Sequence, residues 1–225
     1  MKYLFYLILA ITACSNLAAN RQERDESQAS KSVEWTICEF VETPFEKIII
    51  SGHPVLVSSP YGQAVQFNGI NDAIFVDNAP ILGLSSFTIE AIIRPDAGGL
   101  PEQRFLHMGE TNGDRALLET RVNERGWYLD AHIRSGDERL TLIDSTLLHP
   151  LNQWHHVAAV FENGTLATYV NGKKELEGRI DSFKPLESGK TSIGVRQDRR
   201  DWFKGAIYKI RVSPAALNET GFLPH

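Results

Sequence analysis

From residue 33 onward apolar and polar side chains alternate. In Phe87-Thr88-Ile89-Glu90-Ala91-Ile92-Ile93, Phe87, Ile89, Ala91 and Ile93 share one face of an extended strand, and Thr88, Glu90 and Ile92 share the other. This two-residue period is that of a β-strand with one face in a core. Alternating or β-branched runs bounded by turn formers recur at 35–40, 47–51, 54–58, 64–68, 73–77, 86–94, 104–109 and 115–122. They continue at 127–134, 140–144, 154–162, 165–171, 174–179, 191–195 and 204–212. No segment carries a helical apolar stripe longer than a turn or two. So many strands exceed one flat sheet, so the pattern predicts an all-β fold of two packed antiparallel sheets or a closed barrel. The lack of alternating helices excludes a βαβ fold.

Two hairpins are explicit. Asn163-Gly164 and Asn171-Gly172 sit between long strands, and Asn-Gly tolerates the positive φ that a tight turn demands. Three strands should therefore form a meander around Asn163 and Asn171. Trp154, Val157, Ala159 and Phe161 are expected in the same core layer as the Phe87 face, after an irregular strand start. Cys38, within the 35–40 run, reads as a small buried strand residue.

The first residues read as an address. Met1 and Lys2 precede an apolar run at 3–13, YLFYLILAITA. That is too short for a stable span, which takes ~20 residues, and it suits a secretory signal. Ile11-Thr12-Ala13-Cys14 resembles the bacterial lipobox, which implies cleavage before Cys14 and its lipidation. Ordinary secretion with cleavage near Ala19 is the alternative. The expected organisation is a signal peptide over 1–19, a flexible tether over 20–33, a folded domain over 34–217 and a C-terminal tail over 218–225. The expected location is the cell envelope, with membrane contact only through a lipid at Cys14.

Composition narrows the classes. The chain has 225 residues, 42% hydrophobic and 23% charged, with a net charge of -5. That suits one globular domain and argues against a dedicated nucleic-acid partner. Two cysteines exclude a disulfide-stapled miniprotein and a four-cysteine zinc module.

Four stretches, in order, carry a family resemblance. Residues 62–72 (GQAVQFNGIND) and Phe87-Thr88-Ile89-Glu90-Ala91 come first. Trp154-His155-His156-Val157-Ala158 follows with Tyr169-Val170-Asn171-Gly172, then Ile193-Gly194, Phe203-Lys204-Gly205-Ala206-Ile207 and Ile210-Arg211-Val212. Over residues 60–217 the chain resembles the laminin-G-like, concanavalin A-like jelly rolls of the lectin/glucanase superfamily, which implies a two-sheet β-sandwich. Such domains often bind glycans or proteins, sometimes through calcium, and some relatives are glycosidases or polysaccharide lyases. Fold does not choose among these. Where the family usually carries an acidic pair, this chain has Tyr208-Lys209, which disfavours calcium, an ion that wants carboxylates among its oxygens. Asn71 and Asp72 remain as metal-ligand candidates, or as the shapers of a turn. No cofactor is required.

Candidate chemistry is sparse. Glycosidases need two carboxylates flanking the scissile bond, and the Glu-x-Asp-x-Glu run of laminarinase-type relatives is absent. Lyases of this fold draw Arg, Asn or Gln, His and Tyr from neighbouring strands. Tyr128, Asp130, His132 and Arg134 alternate onto one face of the 127–134 strand, so Tyr128, His132 and Arg134 form the alternative catalytic set. A solvated sheet face is the plainer reading. His155 and His156 point to opposite faces and cannot chelate one ion. The stronger binding signal is the loop holding Arg196, Gln197, Asp198, Arg199, Arg200 and Trp202. Guanidiniums grip carboxylate or sulfate bidentately, and an indole stacks on a sugar. The leading expectation is a non-catalytic domain recognising an extracellular glycan, an anionic polysaccharide in particular, or an envelope protein. The alternative is a small polysaccharide lyase or glycosidase.

Overall fold

The structure is a computed structural model, and it describes residues 31–42 and 47–224. The apolar run, Cys14 and most of the tether lie outside the described residues. The chain runs through β1 (Val33–Thr36), α1 (Ile37–Glu42), β2 (Ile48–Ser51), β3 (Val55–Ser59), β4 (Gly62–Asn68) and β5 (Ala73–Val76). It continues through β6 (Phe87–Pro95), β7 (Glu102–Gly109), β8 (Arg115–Asn123), β9 (Gly126–Ser135) and β10 (Glu138–Ile143). The last strands are β11 (His155–Glu162), β12 (Thr165–Val170), β13 (Lys173–Arg179), β14 (Lys190–Ile193) and β15 (Lys204–Ser213), before a 3-10 turn at Glu219–Gly221.

Two antiparallel sheets form a sandwich. One has the order β13-β12-β11-β6-β15-β4-β3, with β1 paired to β15, and the other the order β10-β9-β8-β7-β14-β5-β2. Asn163, Gly164, Asn171 and Gly172 all adopt positive φ, between 49° and 78°, so both expected hairpins form and β11, β12 and β13 are a meander.

Between the sheets lies a hydrophobic core. Phe87, Ile89, Ala91 and Ile93 meet Val157, Ala159 and Phe161 from β11 and Leu118, Trp127, Leu129 and Ala131 from the other sheet. Phe87 and Phe161 stack at 5.3 Å, and Phe183 packs against Phe161 at 4.2 Å. Each such ring removed from water contributes about 1.5–3 kcal/mol.

Two expectations are corrected. The 35–40 run is not one strand: after Thr36 the chain turns into α1, where Ile37, Cys38 and Phe40 are all buried. Adjacent residues 37 and 38 cannot both face a core from a strand, but they can from a helical turn. Cys38 is buried as expected, in α1. Trp154 does not join the core layer. It lies on the outer face, edge-on to Tyr61 at 6.2 Å, with the Arg94 guanidinium over it at 5.6 Å.

The segment after β15 packs on the outer face of the larger sheet. Glu90, fully buried there, accepts hydrogen bonds from His156 Nε2 (2.9 Å), the Leu223 amide (2.7 Å) and Arg211 Nε (2.6 Å). Burial opposes its charge, yet these donors prevail and hold the carboxyl below its ordinary range. Phe222 packs against His156 and Tyr169. Leu223, in the expected tail, thus covers Glu90, while Ala215 and Leu217 just before the tail bond Thr88, which explains why the polar face of β6 is buried.

Candidate functional site

The outer face of the smaller sheet carries charge in rows. On β8, Arg115, Leu117, Glu119 and Arg121 point outward, because Ala116 and Leu118 face the core. On β9 the outward set is Tyr128, Asp130, His132 and Arg134, opposite the core residues Trp127, Leu129, Ala131 and Ile133. The β8–β9 register sets Arg121 against Tyr128, Glu119 against Asp130, Leu117 against His132 and Arg115 against Arg134. On β7, Arg104 lies beside Glu119. The loop 194–203, between β14 and β15, walls the far side.

A cleft of about 180 Å³ opens here, lined by Arg104, Arg115, Arg121, Arg196 and Arg200, with Glu119, Asp130, His132, Leu117 and Thr141. Its two ends differ. At the Arg121 end, Arg104 and Arg121 are shared among Glu102, Glu119, Asp130 and Asp201. Arg121 pairs with Glu102 and lies 2.7 Å from Asp130, and Arg104 lies 2.5 Å from Asp201 and 3.0 Å from Glu119. Burial raises the Glu119 carboxyl to about 7, with Asp130 adding to the effect, and burial likewise raises Asp130.

At the other end Arg115, Arg134 and Arg196 stand near one another. Burial, then Arg196 and Arg134, make it harder for Arg115 to stay charged. Burial and the same cationic surroundings lower His132 to about 4, so its ring is neutral. His132 Nδ1 meets Thr141 Oγ1 at 2.8 Å, while its Nε2 has no partner among the described residues. Arg115 Nε and Asp130 Oδ1 are buried and equally unpartnered. Buried polar atoms are ordinarily satisfied. A donor on Arg115 and an acceptor on Asp130 are thus left open in one cleft.

The wall loop is ordered by its own bonds. Arg196 is buried, paired with Asp198, and donates from Nη2 to the Thr111 carbonyl at 2.7 Å. Gln197 Nε2 donates to the carbonyls of Lys190 (2.7 Å) and Gly109 (3.0 Å). Its amide donates to Nδ1 of His107 (3.3 Å), whose pKa burial holds at about 4. Arg199 and Asp201 adopt left-handed φ of 61° and 57°, which turns neighbouring side chains apart. Arg200 lines the cleft with Nε at 2.9 Å from Asp198. Arg199 leaves it, lying over the Phe75 ring at 4.8 Å with Nη1 donating to Ser51 Oγ at 3.1 Å.

Of the residues singled out by sequence, His132, Arg196 and Arg200 therefore meet in one cleft with Arg115. Gln197 and Asp198 brace the wall, and Trp202 bridges through its backbone to Arg104. Tyr128 sits four residues from His132 on the same strand, ~13 Å along it at the usual rise. Arg134 donates to the carbonyls of Asn112 (2.9 Å) and Gly136 (3.2 Å). Arg104, Glu119 and Arg121 were missed. Their signal is the outward alternation of β8, which matches that of β9.

Asn71 and Asp72 form a turn. Asp72 accepts the His53 amide on Oδ1 (2.8 Å) and the Asn68 amide on Oδ2 (3.0 Å), and Asn71 Oδ1 accepts from Asn68 Nδ2 (2.7 Å). Their oxygens are thus engaged by Asn68 within the turn and by the His53 amide from the β2–β3 connection. Tyr208 stacks on Tyr61 and Lys209 pairs with Glu34. His155 and His156 point to opposite faces, bonding Pro150 O and Glu90 respectively. Among the described residues no three His, Cys, Asp or Glu gather as metal ligands.

The chain belongs to the concanavalin A-like lectin/glucanases superfamily, whose laminin-G family model matches residues 68–220. No curated protein sequence matches it. Among solved structures it is similar to domain 4 of AbnA, a GH43 extracellular arabinanase from Geobacillus stearothermophilus, in complex with arabinotriose. The identity is 17% and the TM-score 0.65, over 85% of this chain and 96% of that one. It is also similar to the binding domain of Paraclostridial Mosquitocidal Protein 1, at 16% identity and TM-score 0.58, over 77% of this chain but 45% of the other. A SAP-like pentraxin from Limulus polyphemus matches at 18% identity and TM-score 0.53, over 69% and 77% of the two chains. At these identities the likeness is one of fold.

Proposed function

We propose that this is a non-catalytic, extracytoplasmic binding domain for an anionic glycan, a carboxylate- or sulfate-bearing polysaccharide, held in the cleft on the outer face of the smaller sheet. The observation that carries the reading is the convergence of five guanidiniums, Arg104, Arg115, Arg121, Arg196 and Arg200, on one cleft with open polar atoms on Arg115, His132 and Asp130. Charge-assisted hydrogen bonds to arginine are the strong ones in such a site. A saccharide-bound domain of the same fold supports a sugar as the ligand class. The residues at 1–14, with the lipobox-like Ile11-Thr12-Ala13-Cys14, support export and attachment to the envelope by lipid at Cys14.

Binding is favoured over turnover on geometry. Glu119 and Asp130 share the Arg121 guanidinium, so a cation and not a glycosidic bond lies between them, against the arrangement a glycosidase needs. The lyase set is split, with His132 in the cleft and Tyr128 a long step along the strand. The test is calorimetry of the full chain against polygalacturonate, dextran sulfate and neutral dextran, with the same polymers assayed for cleavage. Saturable binding of the charged polymers without cleavage is the expected result. Equal binding of neutral dextran, or release of unsaturated uronate lost in His132→Ala, overturns it.

A further inference from the structure

Glu119 and Asp130 face each other across β8 and β9 on the cleft floor, 2% and 1% exposed. Every element around Glu119 brings charge to it. β7 presents Arg104 and Glu102, β8 presents Arg115 and Arg121, and β9 presents Asp130 and the neutral His132. The wall loop presents Arg196, Asp198, Arg200 and Asp201. Four carboxylates draw on two guanidiniums at this end of the cleft. Two buried like charges side by side favour retaining a proton between them, and such a pair titrates as a unit. Asp130 Oδ1, buried and without a partner, is an oxygen that a proton would turn into a donor toward the cleft.

Resting on the reading of this cleft as an anion site, we propose that the Glu119–Asp130 pair takes up one proton as the anionic polysaccharide binds, so that the domain grips its ligand more tightly as pH falls through neutrality. An incoming carboxylate or sulfate adds negative charge beside the Glu119–Asp130 pair, which makes its second charge costlier still. Linkage is reciprocal, so what the ligand does to the proton the proton does to the ligand. Glu119 is placed to respond near neutrality, since burial and Asp130 already hold it at about 7. His107 and His132, at about 4, stay neutral there.

The experiment titrates the full chain with dextran sulfate, whose charge is fixed over the range, by calorimetry in phosphate and in Tris between about pH 6 and 8.5. One linked proton makes Kd rise ~tenfold per unit above the pair's pKa and makes the measured heat depend on the buffer. Glu119→Gln should remove both dependences, and Asp130→Asn serves as a second variant should the first fail to fold. Binding with a flat Kd and buffer-independent heat overturns the proton coupling while leaving the anion-site reading intact. A slope that persists in both variants overturns the assignment to this pair. No binding at any pH overturns the functional reading, and the coupling falls with it.

Discussion

Arg115→Met isolates what the cleft is for. Arg115 holds the Gly113 carbonyl through Nη1 at 2.7 Å, has an unpartnered Nε, and stands close to Arg134 and Arg196. Methionine keeps the apolar stem and removes the charge. A charge-assisted hydrogen bond to an anion is worth ~1.5–3 kcal/mol. At ~2 kcal/mol the Kd for polygalacturonate or dextran sulfate should rise about thirtyfold. Stability should move the other way. Burial and three like charges, Arg196, Arg134 and Arg104, outweigh the attraction of Glu119 and work against the Arg115 cation, so removing it relieves repulsion and leaves the fold unchanged or up to ~1 kcal/mol more stable, the scale of a partly exposed pair. Calorimetry measures the first effect and urea unfolding the second. Arg199→Ala is the control, because Arg199 lies over Phe75 and bonds Ser51, away from the cleft. Its binding should match the unaltered protein. The reasoning fails if Arg115→Met binds normally, or if it costs more than ~2 kcal/mol of stability, which would mark a structural cation.

Further outcomes follow from neighbouring parts of the molecule. Glu90→Ala removes the buried carboxylate to which Arg211, His156 and the Leu223 amide all donate, and should cost about 3–5 kcal/mol in urea unfolding with faster amide exchange over 215–224. The Glu90 pKa is depressed in the fold, so its contribution is present above the ordinary 4.5 and is lost as pH falls below it. Glu119 has the opposite sign. Its pKa rises from 4.5 to about 7, so its contribution of ~3 kcal/mol is full below the first value and lost by the second. His107 and His132, both lowered from 6.5 to about 4, lose their contributions as pH falls. Together they outweigh the opposing slope of Glu119 across the common range, so stability should fall toward acid there, and Glu119→Gln should make the fall steeper. Asp72 spends both oxygens on backbone amides. Asp72→Ala should therefore cost ~2–3 kcal/mol, whereas calcium or a chelator should leave Tm unchanged, as differential scanning calorimetry would show.

Much of the sandwich was legible because strand periodicity is local. The β6 alternation sorts Phe87, Ile89, Ala91 and Ile93 from Thr88, Glu90 and Ile92 with no knowledge of partners, and Asn-Gly fixes two turns by φ alone. What escaped was decided at longer range. β-branched Thr36 and Ile37 favour extended chain, yet packing on β4 and β15 selects a helical turn for 37–42. Trp154 shares parity with His156, whose side chain faces Glu90 outside the core, so the assumed irregular start hid a readable signal. At the site, the polar face of β9 was visible, and the mirrored face of β8 carries Glu119 and Arg121 by the same rule. Their convergence with Arg196 and Arg200 depends on β14 pairing with β7, a contact no local pattern announces. Opposite aims for Arg199 and Arg200 come from positive φ at non-glycine residues, which sequence does not advertise.

The central claim, that an anionic sugar is held between β8, β9 and the 194–203 loop, is met most directly by NMR of the histidine and arginine side chains during titration with a uronate oligosaccharide. The account predicts saturable shifts at His132 Nε2 and at the Nε of Arg115 and Arg200, with the His156 ring unmoved on the opposite sheet. Shifts centred instead on the groove of Tyr169, Leu217 and Glu219, with His132 silent, would contradict it.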